Sequence, residues 1–319
     1  MPAETATRPT VKDRLQGRSL QIPGEGDIRV TTLKGSRKKT LVQISDYGEA
    51  GDLAFTEVAN RIDAIDKKGK IRRQDKQSVD AFATVSTGFV IEQIGLHGAT
   101  PESTIIFSNT APRGADSLGG IVWEGQEQQR FVFGVLDTGV PVLAVNTGYN
   151  LSFVRERLDG LWVADVPNNG TQFRSRDTYP DALQILQGKK GRKYIGEKLD
   201  PLEAIPPAPK VTRDEDGRLE IPVLYRDGYG NLKTVATRED LPQEVVESKE
   251  LFVSSGKGRL SVVNKLSGAK VTEGDLFLTE GSSGDKKRPY LEVNQMFGRA
   301  ADMFAIRRVT DNTKLVVSA

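Results

Sequence analysis

The chain of 319 residues contains no cysteine and a single histidine, His97. Without cysteine there can be no disulfide, no thiol nucleophile and no thiolate metal ligand, and one histidine excludes a cluster of imidazole ligands. A Ser-His-Asp triad would depend on His97 alone, and its neighbours are typical of a surface loop. The sequence therefore argues against zinc chemistry and cysteine catalysis, and it predicts no metal site.

Long apolar runs and an excess of charge of either sign are also missing. No segment approaches the roughly 18 consecutive apolar residues of a membrane span, and residues 1–19 lack the apolar stretch of a secretory signal. Lysine and arginine number 45 and aspartate and glutamate 43, so the net charge of +2 gives no reason to expect a polyanionic partner. These absences predict a soluble, cytoplasmic protein that binds neither nucleic acid nor membranes.

The length and the distribution of turn residues predict two domains. Residues 1–39 are rich in proline, glycine, threonine and charge, and we interpret them as an N-terminal extension. Residues 40–186 carry strand-like runs and helical periodicity, which is typical of an α/β domain. The basic and proline-rich residues 187–210 predict a linker. Short apolar runs between glycine-rich turns in residues 211–319 indicate a small barrel or sandwich.

Particular elements can be predicted within the first domain. Residues 40–45 read as a buried strand, and Phe55, Val58 and Ile62 then recur at helical steps of three and four. The apolar run at residues 82–94 predicts a further strand. Two more strands over residues 131–136 and 140–145 are expected to form a hairpin. Residues 177–186 predict a helix with Pro180 in its first turn.

Four short polar motifs stand at the ends of strand-like runs or within predicted β-structure. They are Ser45-Asp46-Tyr47-Gly48, Phe173-Arg174-Ser175-Arg176-Asp177, Asp227-Gly228-Tyr229-Gly230-Asn231 and Gly281-Ser282-Ser283-Gly284. Because α/β folds bind ligands beyond the carboxyl ends of their strands, these motifs predict one polar site to which both halves contribute.

Each motif also has a simpler structural explanation. Asp46 can accept two hydrogen bonds from a ribose diol, or it can cap a helix or stabilise a turn. Asp227 and the glycines after it are equally typical of a hairpin turn. Ser282 and Ser283 can bind a carboxylate through backbone N–H groups and hydroxyls, or can lie in a flexible loop. Tyr149 can stack on a base or pack in the core.

Taken in order, and together with residues 88–93, these motifs resemble those of the S-adenosylmethionine hydroxide adenosyltransferase family, which also contains the fluorinase and the chlorinase. The similarity spans about residues 40 to 305. Its most specific feature is an early Asp-aromatic-Gly combined with a late Asp-x-aromatic-Gly-Asn and a Ser-Ser-Gly. The resemblance implies an α/β N-terminal domain with a central, mostly parallel sheet and a C-terminal β-barrel. It also implies a homotrimer in which the substrate lies between one subunit's N-terminal domain and a neighbour's barrel.

The resemblance assigns roles to the polar motifs. Asp46 would hold the ribose hydroxyls, Asp227 and Asn231 would face the amino-acid end of the methionine group, and Ser282 with Ser283 would bind its carboxylate. S-adenosylmethionine is then the substrate, adenosine and methionine are the products, and no cofactor is implied.

The water-activating residues of the family are altered in this chain. Hydroxide-transferring relatives use an Asp-Arg-His set, whereas the corresponding stretches here contain Asn109 and Arg113, and Arg174 stands in place of the histidine. A guanidinium has no acceptor and does not deprotonate, so Arg174 cannot take a proton from water. Ser175 falls where the fluorinase has the serine that touches fluoride. Asn109, Arg113, Arg174 and Ser175 are therefore the candidate catalytic residues.

The resemblance favours an S-adenosylmethionine-cleaving adenosyltransferase, in which water or hydroxide displaces methionine from the ribose C5′ carbon. Two alternatives stay open. A binding protein would keep the nucleoside pocket without turnover, because the proton-handling set is incomplete. An S-adenosylmethionine-dependent halogenase would use the Ser175 hydroxyl beside Arg174 as a halide site.

Overall fold

The computed structural model describes residues 19–22, 24–34, 38–48, 51–111, 130–167, 170–256 and 258–319. These residues form an α/β unit with a seven-stranded sheet, followed by a C-terminal barrel that is closed by seven strands. The predicted fold class, an α/β N-terminal domain and a C-terminal β-barrel, is confirmed. Arg113 lies outside the described residues, so the structure does not address its predicted role.

A short hairpin precedes the α/β sheet. It consists of β1 (Ser19–Ile22) and β2 (Gly26–Arg29). Leu20 and Leu33 of this region are buried in the same apolar cluster as Leu41 of the sheet. The Leu33 N–H also donates to the Leu186 carbonyl oxygen at 2.9 Å. Residues 19–22 and 24–34, which lie in the predicted extension, therefore pack against the α/β unit.

The α/β sheet is mixed. Its strands are β3 (Lys39–Ser45), β4 (Ile71–Ser78), β5 (Thr104–Asn109), β6 (Phe131–Leu136), β7 (Pro141–Val145), β8 (Leu158–Ala164) and β9 (Ile195–Leu199), in the spatial order β4-β3-β5-β7-β6-β8-β9. The pairs β4–β3, β3–β5 and β5–β7 are parallel, whereas β6, β8 and β9 are added by antiparallel pairing. The predicted β6–β7 hairpin is confirmed. Strand β9 comes from the predicted linker, so part of that segment belongs to this sheet.

Two helices flank the parallel part of the sheet. The first, α1 (Leu53–Ile65), is capped by Asp52, whose carboxylate accepts the Ala54 N–H. It buries Phe55, Val58 and Ile62, as its periodicity predicts. The second, α2 (Thr84–Gly95), is buried along residues 84–91 because it lies between the sheet and the barrel, in contact with β3, β5 and two barrel strands. The strand predicted for residues 82–94 is therefore wrong. A helix that is packed between two layers lacks a polar face, so its apolar run resembles that of a buried strand.

The remaining helical segments are short. They are α3 (Arg174–Asp177), α4 (Pro201–Ala204), α5 (Gln243–Glu247) and α6 (Ala300–Met303), with 3₁₀ helices at Pro101–Ser103, Arg155–Arg157, Tyr179–Gln187, Lys189–Tyr194, Arg238–Asp240 and Lys265–Ser267. The single helix predicted for residues 177–186 is divided between α3 and the 3₁₀ helix that begins at Tyr179. Within the described residues, no helix has both the length and the apolar character needed to cross a membrane.

The barrel follows in the last third of the chain. Its strands are β11 (Leu219–Arg226), β12 (Leu232–Thr234), β13 (Glu250–Ser254), β14 (Arg259–Asn264), β15 (Leu276–Asp285), β16 (Arg288–Gln295) and β17 (Lys314–Ser318), and β10 (Thr212–Arg213) pairs with β11 outside the ring. Pairing of β11 with β17 closes the ring, and β14–β15 is its one parallel pair among the described strands. Leu219, Ile221 and Val223 alternate inward along β11, as a half-buried strand requires.

Helix α2 also joins the barrel to the α/β unit through hydrogen bonds. The Asp311 carboxylate accepts the Thr84 hydroxyl at 2.6 Å and the Val85 N–H at 2.8 Å. It therefore caps the positive end of α2, where a negative charge is favourable. In the preceding loop, Asp80 Oδ2 accepts the Val309 N–H at 2.8 Å. The start of α2 is thus attached to the barrel on both sides.

Replacing Thr84 by valine is expected to lower the free energy of unfolding by about 2 kcal/mol, because a buried N–H and a carboxylate lose their partner. Thr84 is fully buried, and its hydroxyl oxygen accepts the Tyr149 N–H at 2.9 Å while donating to Asp311. Urea denaturation measures the change. Thr212→Val, on an exposed strand, is the matched control and should leave stability within about 0.5 kcal/mol of the parent. Equal stability of the Thr84 variant and the control would contradict this assignment.

Candidate functional site

The candidate site lies where two parallel strands end side by side. Ser45 ends β3 and pairs with Asn109 at the end of β5, and the Ser45 hydroxyl donates to the Asn109 carbonyl oxygen at 2.6 Å. Asp46 follows β3 directly, so its carboxylate and the Asn109 side chain belong to the same edge of the sheet. This is the carboxyl edge, at which open α/β sheets bind ligands.

A cavity of about 430 Å³ opens at this edge, and we call it the strand-end cavity. Four of the predicted site residues line it, namely Asp46, Asn109, Arg174 and Ser175. Four aromatic residues line it as well: Tyr47, Phe82, Phe173 and Tyr179. The cavity is within the size range of small-molecule sites, and its mixture of aromatic rings with a few polar groups is typical of them.

Asp46 holds an unusual segment of backbone in place. Its Oδ2 accepts the Phe82 N–H at 2.9 Å. Phe82 has a φ of +63°, in the left-handed region that non-glycine residues rarely adopt. Such backbone costs about 1–3 kcal/mol and is concentrated at functional sites, where the surrounding contacts enforce it. The hydrogen bond to Asp46 therefore fixes the Phe82 ring as part of the cavity wall.

Tyr47 lines the cavity, and its hydroxyl is buried. Burial raises the pKa of Tyr47 to about 12, against a smaller lowering by the polar side chains of Ser175, Ser45 and Asn109. The hydroxyl lies close to these groups but makes no hydrogen bond of normal geometry within the described part of the chain. At neutral pH it keeps its proton, so it is available as a hydrogen-bond donor and not as a base.

Arg174 and Ser175 begin α3. The guanidinium carbon of Arg174 lies 5.5 Å from the centroid of the Tyr179 ring, a cation–π distance. Ser175 is buried, with 4% of its surface exposed. Both side chains belong to the wall of the strand-end cavity, together with Asp46 and Asn109.

Arg176 and Asp177, the other charged residues of the motif at residues 173–177, do not line the cavity. Arg176 Nε lies 2.6 Å from Asp177 Oδ1, and Arg176 also reaches Glu57 at 3.2 Å. Hydrogen bonds from Arg176 and Thr171 lower the pKa of Asp177 to about 2. Asp177 thus stays ionised with its oxygens engaged, which makes it unsuited to accept a proton in catalysis.

Asp227 and Asn231 form a turn between β11 and β12. Asp227 Oδ1 accepts the N–H groups of Tyr229 and Asn231 at 2.9 and 3.0 Å, and its Oδ2 accepts the Asn231 side-chain amide at 3.0 Å. Neither residue lines the strand-end cavity of its own chain. Within a single subunit, these hydrogen bonds are those of a hairpin turn, which is the simpler structural explanation given above for this motif.

The Ser-Ser-Gly segment already binds a carboxylate of its own chain. It lies in β15, where the pairing with β16 shifts its register. Glu292 Oε1 accepts the Ser282 N–H at 3.1 Å and the Ser283 hydroxyl at 3.3 Å, and Lys233 Nζ lies 2.5 Å away. A Cβ at Gly281 would lie 2.1 Å from that oxygen, so glycine allows the close approach. The carboxylate that this segment contacts within the chain is that of Glu292, and its predicted binding of a substrate carboxylate stays a prediction.

Tyr149 is not part of the cavity wall. It is 8% exposed within the main apolar cluster, and its backbone N–H donates to the Thr84 hydroxyl. Within this chain Tyr149 therefore packs in the core, which is one of the two possibilities given above, the other being stacking on a base. In the described portion of the chain, no group of three or more His, Asp or Glu side chains is arranged to hold a metal ion.

Comparison with known proteins identifies the fold and no activity. No protein-family model matches the chain, and no curated protein matches it significantly. Two solved structures are similar. An uncharacterized conserved protein from Thermotoga maritima has a TM-score of 0.61 and 16% identity, over 88% of this chain and 100% of that one. A conserved hypothetical protein from Thermus thermophilus has a TM-score of 0.55 and 16% identity over the same shares. The chain shares its fold with these two proteins.

Sequence reasoning missed several residues of the cavity. Tyr47 and Phe173 belong to two of the polar motifs, but in the sequence only their polar neighbours point to a role. Phe82 was assigned to a strand, and its positive φ has no signature in the sequence because the residue is not glycine. Tyr179 follows the Arg174 motif closely, and its position over the guanidinium depends on the break between α3 and the next 3₁₀ helix.

Proposed function

We propose that this protein binds S-adenosylmethionine and cleaves it by nucleophilic displacement at the ribose C5′ carbon, with water or hydroxide as nucleophile. One observation carries the proposal. Asp46, Asn109, Arg174 and Ser175 come from three separate segments, and all line one cavity at the carboxyl ends of β3 and β5. The resemblance assigns these residues to one site on independent grounds.

Binding follows from the chemistry of the cavity wall. An ionised carboxylate such as Asp46 has two oxygens that can accept the 2′ and 3′ hydroxyls of a ribose. Phe82, Phe173 and Tyr179 provide aromatic surface against which a purine can stack. The cavity volume of about 430 Å³ accommodates a nucleoside.

The reaction requires little acid–base catalysis. The water oxygen forms a bond to C5′, the C5′–S bond breaks, and its electron pair stays on sulfur, which leaves as the neutral thioether of methionine. The proton of the attacking water passes to solvent. The protein's contribution is to align the nucleophile with carbon and sulfur and to remove bulk water. Asn109, Ser175 and the Tyr47 hydroxyl are the polar groups that can orient the nucleophile.

Arg174 favours an anionic nucleophile. A guanidinium about 5 Å from the sulfonium would oppose substrate binding by roughly 3 kcal/mol at an effective dielectric constant near 20, and would attract hydroxide or a halide by a similar amount. The cation–π contact with the Tyr179 ring stabilises the guanidinium at the cavity wall. Arg174 therefore acts in this proposal by electrostatic attraction and not by proton transfer.

The resemblance also leads us to propose a homotrimer in which a neighbouring barrel covers the strand-end cavity. Asp227 and Asn231 do not line the cavity of their own chain, and a site shared between subunits is consistent with that arrangement. Sedimentation equilibrium measures the oligomeric state directly.

A non-catalytic nucleoside-binding protein is the second candidate. Asp46 is the one carboxylate among the described residues that line the cavity, it accepts the Phe82 N–H, and no histidine lines the cavity there. A site without a dedicated base can still bind the nucleoside, so this candidate predicts saturable binding without turnover.

A product assay distinguishes these functions. Purified protein is incubated with S-adenosylmethionine, with and without fluoride or chloride, and the nucleosides are separated by chromatography. Adenosine in every sample supports the proposal, and a 5′-halogenated adenosine that forms only with halide indicates a halogenase. Unchanged substrate with saturable binding in calorimetry indicates the binding protein. Absence of both binding and turnover contradicts every version.

A further inference from the structure

A second cavity, of about 620 Å³, lies between the α/β unit and the barrel, and we call it the interdomain cavity. Residues 78–81 line one side, and Arg226, Arg307 and Arg308 of the barrel line the other. Asp46 and Ala81 line both this cavity and the strand-end cavity. The interdomain cavity therefore begins at the carboxylate to which the ribose is assigned.

The interdomain cavity carries an excess of positive charge. Arg226 has a buried Nε with no hydrogen-bond partner among the described residues, and its terminal nitrogen is 3.8 Å from Asp80 Oδ1. Arg307 and Arg308 are exposed and form no ion pair with any residue that the structure describes. Three guanidinium groups thus share a cavity with two carboxylates, Asp46 and Asp80.

The backbone before the two adjacent arginines is constrained. Ala305 has a φ of +53°, in the left-handed region that residues other than glycine rarely adopt. The Ile306 N–H donates to the Ala301 carbonyl oxygen at 2.8 Å and closes a turn after α6. Val309, just beyond the arginines, donates to Asp80. Arg307 and Arg308 are therefore held at both ends beside the cavity.

We propose that the interdomain cavity binds the carboxylate at the end of the substrate's 5′ substituent, and that Arg226, Arg307 and Arg308 determine specificity for it. This inference rests on the proposed function. A guanidinium presents parallel donors that match a carboxylate, and the ammonium of the same amino acid finds an acceptor in Asp80. The Ser-Ser-Gly segment is engaged by Glu292, whereas Arg307 and Arg308 are exposed in the cavity that shares Asp46 with the ribose site.

Binding measurements with ligands that are not cleaved test this inference. S-adenosylhomocysteine carries the carboxylate, 5′-methylthioadenosine has the same thioether without the amino acid, and adenosine monophosphate carries a phosphate instead. Calorimetry compares the parent protein with the double variant Arg307→Gln/Arg308→Gln. Arg213→Gln/Arg218→Gln removes the same charge from the β10–β11 hairpin, away from both cavities, and is the matched control.

The expected result is a loss of about tenfold or more in affinity for S-adenosylhomocysteine in the double variant, because charged hydrogen bonds contribute at this level. Affinity for 5′-methylthioadenosine should stay unchanged, and the control should match the parent with both ligands. Arg226→Lys keeps the charge but loses the paired donors, so it should also weaken S-adenosylhomocysteine selectively.

Other outcomes overturn the inference in distinguishable ways. An equal loss for both thioethers, or no loss for either, shows that the arginines do not recognise the carboxylate, while binding of 5′-methylthioadenosine keeps the nucleoside site intact. Tighter, arginine-dependent binding of adenosine monophosphate assigns the cavity to a phosphate instead. Failure of the parent protein to bind any of the three ligands overturns the proposed function together with this inference.

Discussion

The variant Asp46→Asn is expected to bind adenosine about 100-fold more weakly than the parent protein. The carboxylate accepts the Phe82 N–H with Oδ2, and in the proposed complex it also accepts the ribose hydroxyls. Asparagine retains one oxygen for the backbone N–H but presents an amide donor to the diol. Hydrogen bonds to a charged group contribute roughly 1.5–3 kcal/mol each, and the loss of one or two corresponds to this change in affinity. Titration calorimetry measures it.

The ribose itself provides the control for this prediction. The parent protein should bind 2′-deoxyadenosine more weakly than adenosine, whereas Asp46→Asn should bind the two with similar affinity, because the interaction that distinguishes them is gone. Asp216→Asn removes an exposed carboxylate on the β10–β11 connection and should behave as the parent. If Asp46→Asn kept the preference for adenosine, Asp46 would not be the ribose ligand.

The variant Glu92→Gln is expected to stabilise the protein by up to about 3 kcal/mol at pH 8. Glu92 is on α2, 12% of its side chain is exposed, and it accepts the Tyr290 hydroxyl from β16 at 3.0 Å. Burial raises the pKa of Glu92 to about 7, and hydrogen bonds from Tyr290 and Gln93 and the charge of Arg157 lower it by less. His97 Nε2 lies 4.0 Å from the same carboxylate.

The direction of this effect follows from proton linkage. Between the ordinary pKa of 4.5 and the raised value of about 7, the folded protein holds a proton that the unfolded chain has released. Stability therefore falls as the pH rises through this window, by about 1.4 kcal/mol for each unit of pKa difference. Glutamine is neutral throughout and imitates the protonated acid, so the variant avoids this loss.

Urea denaturation at pH 4.5 and pH 8 checks the prediction. The parent and Glu92→Gln should differ little at the lower pH and by up to about 3 kcal/mol at the higher one. His97 is present in both proteins, so the comparison isolates the carboxylate. Glu273→Gln replaces an exposed glutamate and serves as the control. A difference between the parent and Glu92→Gln that is the same at both pH values would show that Glu92 does not titrate in this window.

Local patterns were enough to predict the parts of the fold that have one exposed face. The helical spacing of Phe55, Val58 and Ile62 predicted α1. Short runs between glycine-rich turns predicted a barrel or a sandwich, and the resemblance implied the barrel. Helix α2 was missed because the sheet covers one side of it and the barrel the other, which removes the polar stripe from which a helix is recognised. That information lies in the packing of two distant parts of the chain.

Short motifs predicted the site residues that belong to them, but not the contacts that those residues make with distant parts of the chain. Asp46 and Arg174 were found because each belongs to a motif at the end of an element. The partner of Ser282 and Ser283 was not predictable, because Glu292 reaches them across the pairing of β15 with β16. The contribution of Phe82 was hidden because a tertiary hydrogen bond enforces its backbone conformation.

The loop before α2 also determines how the two halves of the molecule can move. Asp80 and Thr84 are both hydrogen-bonded to the barrel, through Val309 and Asp311. Phe82 lies between Asp80 and Thr84 in the chain, and its N–H donates to Asp46. A swing of the barrel relative to the sheet would carry the Phe82 ring with it and separate it from the carboxylate. In the proposed complex, a ligand that contacts the Phe82 ring would therefore oppose movement of the barrel relative to the sheet.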